Sequence, residues 1–410
     1  MNEERTKRRP AGRNGHSINS GKPAPPPQLQ KANRFRRLIA VNGELAAQRN
    51  GHSADVVLIT GGAGFIGTNV AHRLLENGER VLIFDNLSRA GVEQNLQWLQ
   101  ETHPERLEFE RGDVRDRAAL EKIVARASHV FHFAAQVAVT TSLNTPIEDF
   151  EINARGTLNL LEAIRSQPVP PSLVFTSTNK VYGDLAELEL RANNGRYEPL
   201  DPSVRQHGFS EQQSLAFHSP YGCSKGAACQ YVLDYARTFG LRTAVFRMSC
   251  IYGPHQFGNE DQGWVAHFLI KAMQRDPITI YGDGHQVRDV LFVDDLVNAF
   301  LLARRHIQKI SGQAFNIGGG PANTISLLEL LELIGELQGE RARVDFSDWR
   351  PADQKYYVSD SRKFTEQAGW SPKVSADEGV RRLYEWLQEF GIPVGKANRR
   401  PEMAGETVIG

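Results

Sequence analysis

The sequence predicts an α/β protein in which helices cover both faces of a doubly wound parallel sheet. Two observations indicate this fold. Short apolar runs typical of buried strands recur at 56–59, 81–84 and 173–176. Segments with helical spacing of apolar residues separate them, the first over 65–76. Strands that alternate with helices form parallel sheets, because each crossover helix returns the chain to the same sheet edge.

The remaining elements continue this alternation. Helices are predicted over 157–164 and 221–239, and strands over 130–133 and 243–247. Beyond residue 251 the pattern loosens into loops, short strands and a helix near 265–274. We therefore expect a smaller C-terminal lobe over the carboxyl edge of the sheet, where ligands bind in such folds.

Composition excludes several function classes. The chain carries 48 Lys and Arg against 48 Asp and Glu residues, which gives no overall attraction to nucleic acid or to an acidic membrane. The cysteines Cys223, Cys229 and Cys250 form no CxxC pair, so neither a disulfide framework nor a metal site is expected. No apolar run reaches the ~18 residues of a membrane span, and no hydrophobic signal segment is present. We expect a cytoplasmic protein without nucleic-acid or membrane partners.

A glycine-rich turn, TGGAGFIG over 60–67, joins the first predicted strand to the first helix. Gly61, Gly64 and Gly67 permit a tight turn, close approach of the backbone to a pyrophosphate, and close packing of helix on strand. The helix N-terminus supplies N–H donors for the phosphates. Glycines in this context are typical of a dinucleotide site and predict a Rossmann-type fold.

Two acidic residues follow predicted strands. Asp85 ends the second strand, where its carboxylate can accept hydrogen bonds from the ribose hydroxyls of a dinucleotide. It repels a 2′-phosphate, which favours NAD over NADP; the alternative is a simple cap of the next loop. Asp113, in Gly112-Asp113-Val114, is expected beside the adenine.

Three further residues predict acid–base chemistry. Tyr221 and Lys225 lie four positions apart on one helix and share a face. A tyrosine with a pKa near ~10 is a poor base at neutral pH, and a neighbouring ammonium lowers that pKa. Thr178 follows a sheet strand, where its hydroxyl can hold the substrate oxygen that the tyrosine deprotonates; its alternative role is a strand-end cap. We predict that these three residues are catalytic.

Six segments together resemble the extended short-chain dehydrogenase/reductase family: TGGAGFIG, FDN, STNKVYGD, YGCSK, RMSCIYGP and YGDGHQVRDVLFVDD. The likeness spans about residues 55 to 390 and is greatest to the CDP-paratose 2-epimerases, also called CDP-tyvelose 2-epimerases. It implies NAD as cofactor, a nucleotide sugar as substrate, and Thr178, Tyr221 and Lys225 as the catalytic group. The cofactor contacts that it implies are Gly61, Gly64, Phe65, Ile66, Gly67, Asp85, Asn86, Asp113, Val114, Ala134 and Lys225.

The residues after Thr178 distinguish two activities of this family. Dehydratases place Asp-Glu there, and elimination of water needs both the acid and the base. This chain has Asn179 and Lys180, which favours an epimerase. Lys180 either contacts the substrate or pairs with a carboxylate. The resemblance also implies a set of substrate contacts, in which the arginines bind the diphosphate: Asn179, Lys180, Cys250, Arg288 and Arg350.

The resemblance implies a reaction that interconverts CDP-paratose and CDP-tyvelose by oxidation at C2 and return of the hydride to the opposite face. Two alternatives stay open: a UDP- or GDP-hexose 4-epimerase with the same residues, and a non-catalytic NAD-sensing protein on the same fold. Relatives commonly pair through helices of the nucleotide-binding domain, so a homodimer or homotetramer is expected.

The predicted organisation has four parts. Residues 1–54, rich in Pro and Arg, form a disordered basic extension, with a docking arm or a targeting peptide as the alternatives. Residues 55–250 form the NAD-binding Rossmann domain, with a return segment near 287–303. Residues 251–390 form the substrate-binding lobe, and 391–410 form a flexible tail.

Overall fold

The computed structural model of the protein describes residues 56–350 and 353–391. The predicted extension, residues 1–54, and the predicted tail from residue 392 onward lie outside the described residues. The strands are β1 (Val56–Thr60), β2 (Arg80–Asp85), β3 (Leu107–Arg111), β4 (Ala127–His132), β5 (Ser172–Thr178), β6 (Leu190–Asn193), β7 (Arg196–Pro199), β8 (Thr243–Met248), β9 (Cys250–Tyr252), β10 (Ile278–Tyr281), β11 (Val287–Phe292), β12 (Gln313–Ile317), β13 (Thr324–Ser326), β14 (Val344–Ser347) and β15 (Tyr356–Tyr357).

The helices alternate with these strands through most of the chain. They are α1 (Phe65–Glu76), α2 (Val92–Thr102), α3 (Arg117–Val124), α4 (Val139–Asn144), α5 (Pro146–Phe150), α6 (Gly156–Arg165), α7 (Pro202–His207), α8 (Ser219–Phe239), α9 (Trp264–Gln274), α10 (Val293–Arg305), α11 (Ile307–Ile310), α12 (Leu327–Gln338), α13 (Arg362–Ala368) and α14 (Ala376–Glu389). A π-helical turn spans Glu151–Arg155, and 3₁₀ turns span Asn179–Tyr182 and Pro321–Asn323.

The main sheet has seven strands in the order β12–β8–β5–β4–β1–β2–β3. Every neighbouring pair in it is parallel. The direction of winding reverses between β1 and β4, and ligands bind in such folds at the carboxyl ends of the strands beside this switch point. The α/β fold predicted from the sequence is confirmed.

Helices bury both faces of the main sheet. Along β1, Val57 and Ile59 pack in one core with residues of α1 and α10. Val56 and Leu58 pack in the opposite core with residues of α3, α6 and α8. Burial on both faces explains why the strands are continuous apolar runs rather than alternating patterns.

The predicted elements of this domain match the structure closely. The helix predicted over 65–76 is α1, and the one predicted over 221–239 is α8, which begins at Ser219. The strand predicted over 130–133 ends at His132 instead, because the chain there turns into the carboxyl-edge loop that carries Phe133.

The C-terminal part builds smaller sheets with their own core. β11 pairs in parallel with β9 and β15 and antiparallel with β13, while β10 pairs with β14. Helices α9, α12 and α14 cover these strands through Leu269, Ile334 and Leu383. This lobe lies beside the carboxyl end of β8, because β9 begins directly after that strand.

The predicted return segment, 287–303, divides between the two parts. Val287–Phe292 belongs to the sheet of the smaller lobe, whereas α10 packs on the main sheet and Gln313–Ile317 forms its edge strand beside β8. Phe364 and Trp370 pack into the same core. The reason is that an apolar run of this length has no local feature that specifies which sheet it joins.

Two kinds of feature are absent from residues 56–350 and 353–391. No helix among them is long and apolar enough to cross a membrane. Within the same ranges, no cluster of three or more His, Cys, Asp and Glu side chains could hold a metal ion.

Candidate active site

The predicted site residues gather at the carboxyl edge of the main sheet. A groove along this edge, which we call the cofactor groove, is lined at one end by Asp85 and Asp113 and at the other by Tyr221 and Lys225. A second space, which we call the lobe cavity, is lined by Arg288 and Arg350 among others. Lys180 and Cys250 line both spaces. The parallel sheet therefore brings segments distant in sequence to one place.

The glycine-rich turn forms a cradle at the start of α1. Gly61 has a φ of +71°, and a Cβ there would lie 2.5 Å from the Ala134 backbone nitrogen. A Cβ on Gly67 would lie 2.4 Å from the Gly61 carbonyl oxygen. A Cβ on Gly64 would meet that oxygen at 3.3 Å and otherwise enter the groove that Gly64 lines with Phe65 and Ile66. Two glycines thus serve the fold, and Gly64 leaves room for a pyrophosphate.

These features fit NAD. The N-cap of α1 is Gly64, which has no side-chain oxygen to occupy the first helical N–H groups, so they can bind phosphate. Asp85 is fixed by the Ala63 N–H at 3.1 Å and the Leu87 N–H at 2.9 Å. Burial raises the pKa of Asp85, while these backbone bonds oppose the shift. A fixed carboxylate beside the cradle suits two ribose hydroxyls.

The adenine end of the groove contains the remaining predicted cofactor residues. The Asp113 carboxylate accepts hydrogen bonds from the Asn86 amide at 2.9 Å and from the Arg115 guanidinium at 2.8 Å. The Arg115 bonds lower the pKa of Asp113 to about 2. Val114 and Ala134 line the same end of the groove. The structure therefore brings every predicted cofactor residue to the groove.

Thr178 and Tyr221 meet at the other end of the groove. Thr178, at the C-terminus of β5, lines the groove together with Tyr221, and its hydroxyl acts to lower the pKa of that phenol. Tyr221 lies in the first turn of α8, where its N–H donates to the Ser142 hydroxyl at 3.1 Å. Burial raises the pKa of Tyr221 to about 12, and the Thr178 hydroxyl opposes this shift. A single substrate oxygen could contact both hydroxyls.

The surroundings of Tyr221 differ from the expectation that Lys225 lowers its pKa. Lys225 donates to the Thr176 carbonyl oxygen at 2.6 Å and lies 4.5 Å from the centre of the Phe175 ring. Burial lowers the pKa of Lys225 to about 8. Among the described charged groups, Arg89 lowers the pKa of Tyr221 and Asp149 raises it. The hydrogen bond of the Lys225 ammonium goes to the carbonyl oxygen of the strand and not to the phenol.

Asn179 and Lys180 are tied to the C-terminal lobe. The Asn179 amide donates to the Gln354 side-chain oxygen at 3.2 Å, and Gln354 donates to the Gly183 carbonyl oxygen at 2.7 Å. The Lys180 ammonium lies 3.5 Å from an Asp353 carboxylate oxygen. The sequence left two roles open for Lys180, a substrate contact or an ion pair with a carboxylate. The structure shows the ion pair, with Asp353.

The lobe cavity holds the two predicted phosphate ligands. Arg288 is almost fully buried and donates to Asp353 at 2.9 Å. Arg350 donates to the Glu260 carbonyl oxygen at 2.9 Å, and its guanidinium carbon lies 3.8 Å from the centre of the Tyr281 ring. Cations and an aromatic face in one cavity suit the diphosphate and base of a nucleotide.

Three other side chains belong to the wall of the lobe cavity. Trp264 and His267 both line the lobe cavity. Burial raises the pKa of Cys250, so this thiol remains protonated in the cavity wall. A protonated thiol is a weakly polar contact rather than a nucleophile.

Sequence reasoning missed four residues of this site: Arg89, Tyr281, Asp353 and Gln354. Arg89 lines the cofactor groove and donates to the Gln262 side chain of the opposite wall. A cation three residues after the FDN segment was a usable signal for a phosphate neighbour. Asp353 and Gln354 gave no such signal, because their partners lie far away in sequence.

Comparison with known proteins places these observations in a family. A profile of the NAD dependent epimerase/dehydratase family matches residues 57–318. The CDP-paratose 2-epimerase of Salmonella typhi is 46% identical over 341 residues, covering 82% of this chain and 99% of that protein. A putative UDP-glucose 4-epimerase of Methanocaldococcus jannaschii is 31% identical over 334 residues, covering 81% of this chain and 98% of that protein.

A solved structure agrees with the fold. The UDP-glucose 4-epimerase of Thermus thermophilus, crystallised as a complex with NAD, matches with a TM-score of 0.68 and 33% identity. The match covers 81% of this chain and 99% of that one. The predicted cofactor, NAD, is confirmed, and so is the prediction of an enzyme. Profile, identity and fold agree, and the chain belongs to the NAD dependent epimerase/dehydratase family.

Proposed function

We propose that the protein is an NAD-dependent nucleotide-sugar epimerase that interconverts CDP-paratose and CDP-tyvelose by inversion at C2. The observation that carries this proposal is the Thr178–Tyr221 hydroxyl pair beside a lobe cavity with Arg288 and Arg350. The 46% identity to a CDP-paratose 2-epimerase, over nearly the whole of that protein, supports the choice of sugar nucleotide.

The chain's own residues carry the acid–base part of this reaction. Bound NAD supplies the hydride acceptor and, in the return step, the donor. Tyr221 removes the proton of the C2 hydroxyl and gives it back after inversion, while Thr178 holds the same oxygen. Lys225 is held by the Thr176 carbonyl oxygen and lines the groove in which the cofactor would bind. Burial raises the pKa of Tyr221, which strengthens the phenolate as the base that removes this proton and weakens the phenol as the acid that returns it.

Elimination of water is disfavoured at this site. It requires one group to protonate the leaving hydroxyl and a carboxylate to remove a neighbouring proton. The Asn179 amide is not acidic, and the Lys180 ammonium is paired with Asp353. Oxidation and hydride return are therefore left as the chemistry that the residues around Thr178 support.

A UDP-hexose 4-epimerase is the second candidate, since a putative UDP-glucose 4-epimerase is also a relative. The same hydroxyl pair would serve C4 if the sugar bound in another orientation. The difference lies in which carbon faces Tyr221, so substrate scope separates the two candidates.

The first experiment is a proton NMR time course of the purified protein with CDP-paratose in deuterated water, without added cofactor. We expect the C2 epimer to form without deuterium at C2, because the hydride returns from tightly bound cofactor. Deuterium at C2 would contradict hydride return. Inversion of UDP-glucose in a parallel sample, with no change of the CDP sugar, would move the proposal to the 4-epimerase.

We also propose a cytoplasmic homodimer or homotetramer. The three cysteines are free, as a reducing compartment keeps them. Apolar side chains are exposed on the adjoining helices α4, α5 and α8: Leu143, Ile147, Phe150 and Tyr231. A second copy that covered these residues would remove them from water. Light scattering should show a dimer or tetramer, and Ile147→Glu should shift it toward monomer; an unchanged state in that variant would place the interface elsewhere.

A further inference from the structure

One carboxylate at the junction of the cofactor groove and the lobe cavity is shared by two cations. Arg288 donates to Asp353 Oδ1 at 2.9 Å, and the Lys180 ammonium lies 3.5 Å from the same oxygen. The Gln354 N–H donates to that oxygen as well, at 3.0 Å. Lys180 lines both spaces, and Arg288 lines the lobe cavity. We call Lys180, Asp353 and Arg288 the junction triad.

A neutral link accompanies the triad. The Asn179 amide donates to Gln354 at 3.2 Å, and the Lys180 N–H donates to the Thr178 hydroxyl at 3.2 Å. The two residues after Thr178 are therefore joined, side by side, to the consecutive residues Asp353 and Gln354 of the lobe. These contacts therefore connect Asp353 and Gln354 to the chain that carries the Thr178 hydroxyl.

The formal charges of the triad sum to one net positive charge. Arg288 alone with Asp353 would be a neutral pair, because one guanidinium cancels one carboxylate. Lys180 adds a second cation to the same carboxylate, with about a fifth of its side chain exposed to the two spaces. A mostly buried net positive charge is costly unless an anion approaches it. The triad thus suits an anionic ligand at the junction.

The proposed substrate, a nucleotide sugar, carries a suitable anion in its diphosphate. If its base end lies in the lobe cavity and its sugar lies beside Tyr221, its sugar-linked phosphate must pass through this junction. We propose that Lys180 is a positioning residue, which leaves the triad a net positive charge for the sugar-linked phosphate and thereby sets the sugar against Thr178. This inference rests on the proposed function and gives Lys180 its role there.

The test uses the NAD-loaded, full-length protein and two separate measurements. Calorimetric titration with CDP measures nucleotide diphosphate binding without any chemistry, and epimerisation kinetics give kcat and KM. The variants are Lys180→Met, Lys180→Arg, Asp353→Asn and the double variant Lys180→Met/Asp353→Asn. Lys122→Met, on the exposed face of α3, is the matched control that should change neither measurement.

The charge count predicts how CDP affinity changes from one variant to the next. Lys180→Met leaves a neutral pair, so the CDP dissociation constant should rise at least about tenfold, as for loss of one charge-assisted contact. Lys180→Arg should keep most of the affinity. The double variant again has a net positive charge, on Arg288, and should recover CDP affinity relative to Lys180→Met. Its kcat should stay low, because the tie from Asp353 to the Thr178 segment is cut.

Two outcomes would overturn the inference. One is that Lys180→Met binds CDP like the unmodified protein. The other is that the double variant fails to regain affinity while all variants melt at the control's temperature. Either result removes the charge argument. If Lys180→Met is insoluble, Lys180→Gln replaces it in the same comparison. A protein that binds CDP in the expected pattern but epimerises no CDP sugar would refute the proposed function and leave the triad's role in phosphate binding intact.

Discussion

The Lys225 ammonium donates its hydrogen bond to the Thr176 carbonyl oxygen, at 2.6 Å, and not to the phenol four residues before it. The charge environment of Tyr221 is consequently set by groups from two other elements. Arg89, in the loop after β2, lowers the pKa of Tyr221, and the buried Asp149 of α5 raises it. These opposed influences lead to a prediction that the Tyr–Lys spacing alone does not give.

Removal of Arg89 or of Asp149 should move the pH dependence of turnover in opposite directions. Arg89→Met removes a cation and raises the pKa of Tyr221, so the rising limb of kcat/KM against pH should move up by about one unit. Asp149→Asn removes an anion and should move that limb down. Arg89→Lys and the surface variant Arg117→Met should leave it in place. Equal displacements in one direction for both variants would contradict the assignment.

Tyr221→Phe should abolish epimerisation while NAD stays bound. The substitution removes only the hydroxyl that exchanges the substrate proton, and such groups contribute roughly 10²- to 10⁴-fold to the rate. Turnover is measured by NMR, and bound cofactor by absorbance after denaturation. Tyr231→Phe, on an exposed position of the same helix, is the control. Full activity of Tyr221→Phe would refute its role.

Gly64→Ala and Gly67→Ala should fail in different ways. A Cβ on Gly64 enters the cofactor groove, so the variant should fold normally but lose NAD on purification. A Cβ on Gly67 would lie 2.4 Å from a backbone oxygen, so this variant should lower the free energy of unfolding by about 1–3 kcal/mol. Thermal melts and cofactor content distinguish these results. A destabilised Gly64→Ala with full NAD content would reverse the assignment.

Asp85→Asn should change the choice between the two nicotinamide cofactors. The amide keeps the size of the side chain but has one oxygen, so it retains one of the two bonds that the Asp85 oxygens accept from the Ala63 and Leu87 N–H groups. It no longer repels a 2′-phosphate, so the ratio of NAD to NADP affinity should fall. Affinities are measured on protein stripped of cofactor, with Asp345→Asn on an exposed strand as the control. An unchanged ratio would mean that another group selects NAD.

The sequence alone determined the nucleotide-binding half of the protein. Strands such as β1 and helices such as α1 are specified by local periodicity, and the cradle by the spacing of Gly61, Gly64 and Gly67. Burial of both sheet faces makes each strand visible as a continuous apolar run. The same locality made the position of Asp85 after β2 predictable, since it depends on one strand and its end.

Tertiary structure decided what depends on long-range pairing. The assignment of β12 to the main sheet needed its partner β8, and the pairing of Lys180 with Asp353 joins two segments that are far apart in the sequence. The direction of the Lys225 ammonium was likewise set by a strand carbonyl and not by its own helix. Such relationships leave no local pattern in the sequence, because the physical contact that selects each of them exists only once the chain has folded.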